Sequence, residues 1–139
     1  MPWMKLSEKG RFSPPPALPK HAEVVSKTLA SWAGVQARTH WLLGDETVVD
    51  GADFYVGDEE LGHVHMEGEA HVATGLVLRT SIVAAKLAAP FRWSASFVVH
   101  DIARESDVEH ALWLFRLAYD RAQGVSEDEL ITRVNDHPR

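Results

Sequence analysis

Two histidines separated by one residue, His63 and His65, lie in Glu60-Leu61-Gly62-His63-Val64-His65, a short run between turn-forming residues that reads as a β-strand. Extended backbone alternates its side chains, so Leu61, His63 and His65 are expected on one face and Gly62, Val64 and Met66 on the other. Neighbouring imidazoles can exchange a proton near neutral pH or share a metal ion. His71, with Glu67 and Glu69, follows a Gly68 turn and could complete a three-His or His/His/carboxylate set, so His63, His65 and His71 are the candidate ligands if a divalent metal binds. Glu60, next to Glu59 at the strand entrance, could accept the second N–H of an imidazole and fix its orientation. The plainer alternative is that the two histidines line an open sheet face, bonded to backbone or water. Gly62 weighs toward a ligand or another backbone in close approach, because a strand-interior glycine has no side chain to pack.

Other residues are candidates by type alone. Arg79 and Lys86, seven apart in an expected helix, share a face and could offer a cation to an anionic or enolate group, and Trp93 is a flat surface for a planar ligand. Ser81, Ser94 and Ser96 lack a nucleophile-elbow context, which removes serine hydrolysis. The glycines are scattered singly, so no phosphate-binding loop is present.

The 139 residues, 45% of them hydrophobic, suffice for one core without cross-links. With no cysteine, disulfides, thiolate chemistry and Cys-ligated zinc are excluded, and any metal must use His and carboxylates. A formal charge of −6 argues against a nucleic-acid partner. No apolar run approaches the roughly 20 residues that span a bilayer, and the first residues hold no signal core, so a cytoplasmic, membrane-free protein is expected.

The elements that must position these residues follow from pattern. Residues 1–20, with Pro14-Pro15-Pro16 and Pro19, form either a disordered tail or an arm whose Trp3, Met4, Leu6 and Phe12 dock on the domain or on a second subunit. Residues 21–139 form one α+β domain. A first helix over 21–33 turns Val24, Val25, Thr28, Leu29 and Trp32 toward a sheet. Strands near 39–43, 47–49, 53–56 and 60–66 are separated by turns at Gly44-Asp45, Asp50-Gly51 and Gly57-Asp58, giving an antiparallel meander. A second helix over 76–89 is capped by Thr74, and a strand over 93–99 points Trp93 and Phe97 inward. Ser106-x-x-Glu109 and Ser126-x-x-Glu129 open the last two helices. The tryptophans are expected in the core. The whole predicts a mainly antiparallel sheet of about five strands with helices mostly on one face.

Glu60 to His65, then Ala70-His71-Val72, then Trp93 to Val98, then Asp107 to Leu114 and on to Tyr119 resemble, in that order, the luciferase-like domain family. That family holds small bacterial proteins and is related to the fungal luciferases. The fungal enzyme adds dioxygen to an electron-rich hydroxypyrone without an organic cofactor. The resemblance therefore implies His63 and His65 as general base and oxyanion stabiliser, with His71 in the same pocket. Fungal members are longer, carry an N-terminal membrane segment and have further histidines that this chain does not reproduce in the same spacing. The resemblance thus implies fold and pocket and not light emission. The leading expectation is a domain binding a small planar or enolisable molecule, possible as a cofactor-independent oxygenase. The rivals are a metal-dependent enzyme using His63, His65 and His71, and a non-catalytic interaction protein, with a homodimer possible through the sheet face or the arm.

Overall fold

The computed structural model describes residues 5–138, which leaves Pro2, Trp3 and Met4 of the arm outside the described residues. After a single 3-10 turn at Leu6–Glu8, Pro19 stands at the N-cap of helix α1 (Lys20–Ser31). The buried face of α1 is Ala22, Val25, Ser26 and Leu29, one residue out of phase with the expected stripe, and Val24 is exposed. The spacing 22, 25, 26, 29 is the true helical seam.

Strands β1 (Val35–Leu42), β2 (Asp45–Val56), β3 (Glu59–His65) and β4 (Glu69–Ala73) follow one another through tight turns, as the Gly-Asp pairs at 44–45 and 57–58 predict. Asp50-Gly51 is not a turn. β2 runs straight through it, with Gly51 facing His40 on one side and His65 on the other. A side chain at Gly51 would overlap the Val64 carbonyl oxygen, so this glycine serves close strand approach. Helix α2 (Leu76–Ala84) starts from Gly75, not Thr74, and stops five residues before the expected end. Lys86 takes a left-handed φ of 59°, and Leu87 closes the turn by donating to the Ile82 carbonyl. Arg79 and Lys86 therefore do not share a helical face.

Two residues, β5 (Ala89–Pro90), pair with β6 (Phe97–Asp101), and the sheet order is β1-β2-β3-β4-β6-β5, antiparallel throughout. Both β4 and β5 are absent from the sequence reading, whose count of five came from splitting β2 in two, and β5 is a short proline-bearing edge that blunts further pairing. Strand β6 begins at Phe97, four residues later than expected, and Trp93 lies 66% exposed in the preceding loop. Helix α3 (Glu105–Ala122) begins one residue before Ser106. Its entry is fixed by Asp107, whose carboxylate accepts from the Ala103 and Arg104 amides. Ser126 caps α4 (Glu127–Asp136) as expected, accepting from Glu129 N–H at 3.2 Å.

The fold is α+β. Helices α1 and α3 cover one sheet face, where Phe54 meets Phe115 edge-on at 6.2 Å and Tyr119 donates to Ala33 O at 2.5 Å. Phe54, Tyr55, Phe115 and a set of leucines are the largest fully buried side chains. Trp32 and Trp113 sit only partly buried at the core's rim, so the expectation of a tryptophan core fails. No helix among the described residues is long and apolar enough to cross a membrane.

Candidate functional site

The register of β1 to β4 assembles a row on the face turned away from α1 and α3. Arg38 pairs with Asp53, Asp53 with His63, and His63 with His71. One step along, Gly51 lies between His40 and His65. Because Gly51 has no side chain, these two rings approach to 5.3 Å. His40 and His63 stack at 4.0 Å with planes 9° from parallel, while His63 and His65 lie 5.0 Å apart, His63 and His71 4.8 Å, and His65 and His71 4.4 Å. Four imidazoles from three strands, β1, β3 and β4, thus make one cluster.

A bulge in β3 adds the fourth carboxylate. Phe54 pairs with Gly62 and Tyr55 with Glu60, so Leu61 is the extra residue. The bulge sends Leu61 into the core and swings Glu60 onto the histidine face, correcting the simple alternation that placed Leu61 beside His63. Each imidazole then faces a carboxylate. His40 Nδ1 is 2.6 Å from Asp53 Oδ1, His63 Nδ1 3.3 Å from Glu60 Oε2, His65 Nδ1 2.9 Å from Asp50 Oδ2, and His71 Nε2 2.6 Å from Glu69 Oε1. At His63 and His71, where the contact is a hydrogen bond, the carboxylate orients the ring and leaves the other nitrogen for a ligand.

The cluster is neither open to bulk water nor inside the helix-covered core. Residues 6–14 lie along β1: Thr39 N–H donates to Ser13 O at 2.8 Å, its hydroxyl to Pro14 O at 2.6 Å, and Arg38 Nη2 to Arg11 O at 2.8 Å. From this segment Lys9 places its ammonium 2.7 Å from Asp53, whose side chain is fully buried. On the other flank Phe91 rests on His71 at 4.6 Å, and Phe97 lies 6.1 Å from His63. His40, His63 and His65 keep 17%, 14% and 16% of their side chains exposed.

Residues 58–118 match the luciferase domain family. The matched stretch runs from the β2–β3 turn through most of α3 and holds Glu60, His63, His65 and His71. It leaves out Lys9, His40, Asp50 and Asp53, which come from the chain before it. No curated protein and no solved structure matches this chain.

Of the residues singled out in the sequence, His63, His65, His71 and Glu60 are brought together. Arg79 is not with them: its Nε donates to Phe97 O at 3.1 Å. Trp93 stands in the exposed loop with the Arg92 guanidinium 4.5 Å from its ring. His40 and Asp53 were missed, although the alternation of Arg38 and His40 was a usable signal once β1 was extended to Val35. The three His donors that lie mutually within 4.8 Å are His40, His63 and His65, in place of the expected set with His71.

Burial holds His63 well below the ordinary histidine range, and the neighbouring His40, His71 and His65 and then Lys9 push it the same way. Burial likewise lowers His71, against the opposing pull of Glu69, and lowers His100 on the helix side. These rings are neutral at pH 7. The unfolded chain takes up their protons near pH 6.5, before the folded protein does, so stability should fall as pH drops from about 6.5 toward the lowered folded values. Each such histidine contributes a slope of at most about 1.4 kcal/mol per pH unit. In metal-free protein, urea midpoints measured from pH 8 to pH 5 should decline through this window and decline less in His63→Ala; a flat profile would contradict the burial of these rings.

Proposed function

We propose that this luciferase-domain protein binds a small, planar, enolisable molecule at the four-histidine cluster and removes its acidic proton, as a candidate oxygenase that needs no organic cofactor. The observation that carries this reading is the pairing of every imidazole in the cluster with its own carboxylate, which supplies bases already oriented for a ligand. The substrate lies against the exposed edges of His40, His63 and His65, between the Lys9 segment and Phe91. Its enol O–H gives its proton to the free nitrogen of His63 or His65. The imidazolium that forms is stabilised by Glu60 or Asp50, and its new N–H donates back to the developing enolate oxygen. The electron-rich carbon left behind is the atom that would meet dioxygen.

The test uses a hydroxypyrone as probe. Binding measured by ligand-observed NMR should weaken at least about tenfold in His63→Ala/His65→Ala, in line with loss of two polar contacts of about 1 kcal/mol each. Unchanged affinity in a variant that keeps its far-UV circular dichroism would remove both residues from the site.

A further inference from the structure

The four rings are packed too closely for an organic group to enter between them. Centroid separations of 4.0 to 5.3 Å leave room for an ion or a water and for nothing larger. Three of them, His40, His63 and His65, hold one donor nitrogen each within 4.8 Å of the other two. A first-row ion bound at about 2.0–2.1 Å to each nitrogen needs donors separated by roughly 3.3 Å, so side-chain adjustment of up to about 1.5 Å closes the set. His40 and His63 are stacked, and one ring must turn about χ2 to aim its lone pair at a shared ion. That torsion is broad and soft.

Three further features point the same way. His65 Nε2 is buried and has no hydrogen-bond partner within the protein, a position that a bound ion or water would satisfy. The Nδ1 atoms of all three rings face carboxylates, the arrangement by which ligating histidines are oriented and made more basic. Asp50 alone stands 2.9 Å from His65 and 3.8 Å from His40, placing negative charge behind two of the proposed ligands. A second histidine group, His100, His110 and His137, lies elsewhere, its His110 and His137 bordering a groove of about 620 Å³, but His110 Nε2 already bonds Leu87 O at 2.5 Å. It serves as an internal control.

We infer that His40, His63 and His65 form a binding site for one borderline first-row divalent cation, of the zinc, cobalt or ferrous class, with a fourth position open toward the exposed ring edges. Imidazole donors select such ions over magnesium and calcium, which take oxygen. This inference rests on the enolisable-substrate reading and deepens it: with the cation bound, His63 and His65 hold it and no longer take the proton themselves, the cation would hold the enolate oxygen, and His71, backed by Glu69, takes the proton in their place.

Chelator-stripped protein titrated with Zn²⁺ by calorimetry, and with Co²⁺ by visible absorption, should bind one equivalent at micromolar affinity or tighter, while Mg²⁺ gives no saturable heat. His40→Ala and His65→Ala should each weaken Zn²⁺ at least 100-fold, and the milder Asp50→Asn, at a part-exposed position, about tenfold or more. His110→Ala should leave binding unchanged. Absence of saturable Zn²⁺ binding, or binding lost in His110→Ala and kept in the other three, would overturn the site. Hydroxypyrone affinity measured on the same samples both without and with one equivalent of Zn²⁺ separates the two readings. Retained pyrone binding without Zn²⁺ binding removes the cation alone, and Zn²⁺ binding without pyrone binding removes the substrate reading and leaves the cation.

Discussion

Replacing Gly62 by alanine is expected to destabilise the protein by about 3 kcal/mol and to lower its melting temperature by roughly 10 °C. Gly62 holds φ at 139°, a region that an L side chain enters only with strain, and an added Cβ would overlap the His71 carbonyl oxygen while pressing on the Phe115 ring at 3.0 Å. The two costs add because relief of one worsens the other. Moving β3 away from β4 breaks the Gly62–Val72 and His63–His71 pairings, and rotating the backbone undoes the bulge that turns Glu60 toward His63. The substitution should therefore also loosen the site, and pyrone affinity should fall alongside stability in the same preparation. Thermal unfolding followed by circular dichroism gives the first number. A loss below about 1 kcal/mol would mean that the strand can relax without its glycine, and would detach the bulge from its proposed role.

The same glycine marks where sequence reasoning reached and where it stopped. The class of fold was legible because Gly44-Asp45 and Gly57-Asp58 are turn pairs that force successive strands to run antiparallel, and because the late helix carries an unbroken apolar face. His63 and His65 were legible because a period of two is a local property. The rest depends on register, which is not local. His40 reaches His65 only across Gly51, and Asp50-Gly51 has the composition of a turn although it lies inside a 12-residue strand. That one misreading split β2 and concealed both Asp50 and Asp53. The bulge at Leu61 is equally invisible to alternation, and it decides which of Glu60 and Leu61 joins the histidines. At the other end, Trp93 alternates with Phe97 in the sequence, yet the strand starts at Phe97 and leaves the indole outside. The arm was read as chain that docks or floats. Nothing in its composition announced that Lys9 would meet a carboxylate on the second strand.

That contact supports the last expected result: Asp53→Ala should cost about 3 kcal/mol, and adding Lys9→Met should recover much of the loss. Asp53 is fully buried, with Lys9 Nζ 2.7 Å from one oxygen and His40 Nδ1 2.6 Å from the other. Both contacts are close, but neither is aligned as a hydrogen bond, so the carboxylate is held by charge more than by directed bonding. Removing it leaves the Lys9 ammonium, 18% exposed, above the Tyr55 ring with its counter-charge gone. Tyr55 cannot compensate, because burial and then the charge of Glu60, both still present in the variant, keep its phenol protonated. The ammonium must either stay desolvated or pull residues 6–14 off β1, where Arg38 and Thr39 depend on that segment for their partners. Replacing the cation with methionine removes the stranded charge and keeps the bulk, which is why the double variant should stand above the single one. Urea unfolding of the four proteins in this cycle measures the coupling directly. Additive losses would show that Lys9 and Asp53 act independently and that the segment is held by its backbone bonds alone. A coupling of 1 kcal/mol or more would make the ion pair the element that ties the arm to the histidine face, and so part of what shapes the site.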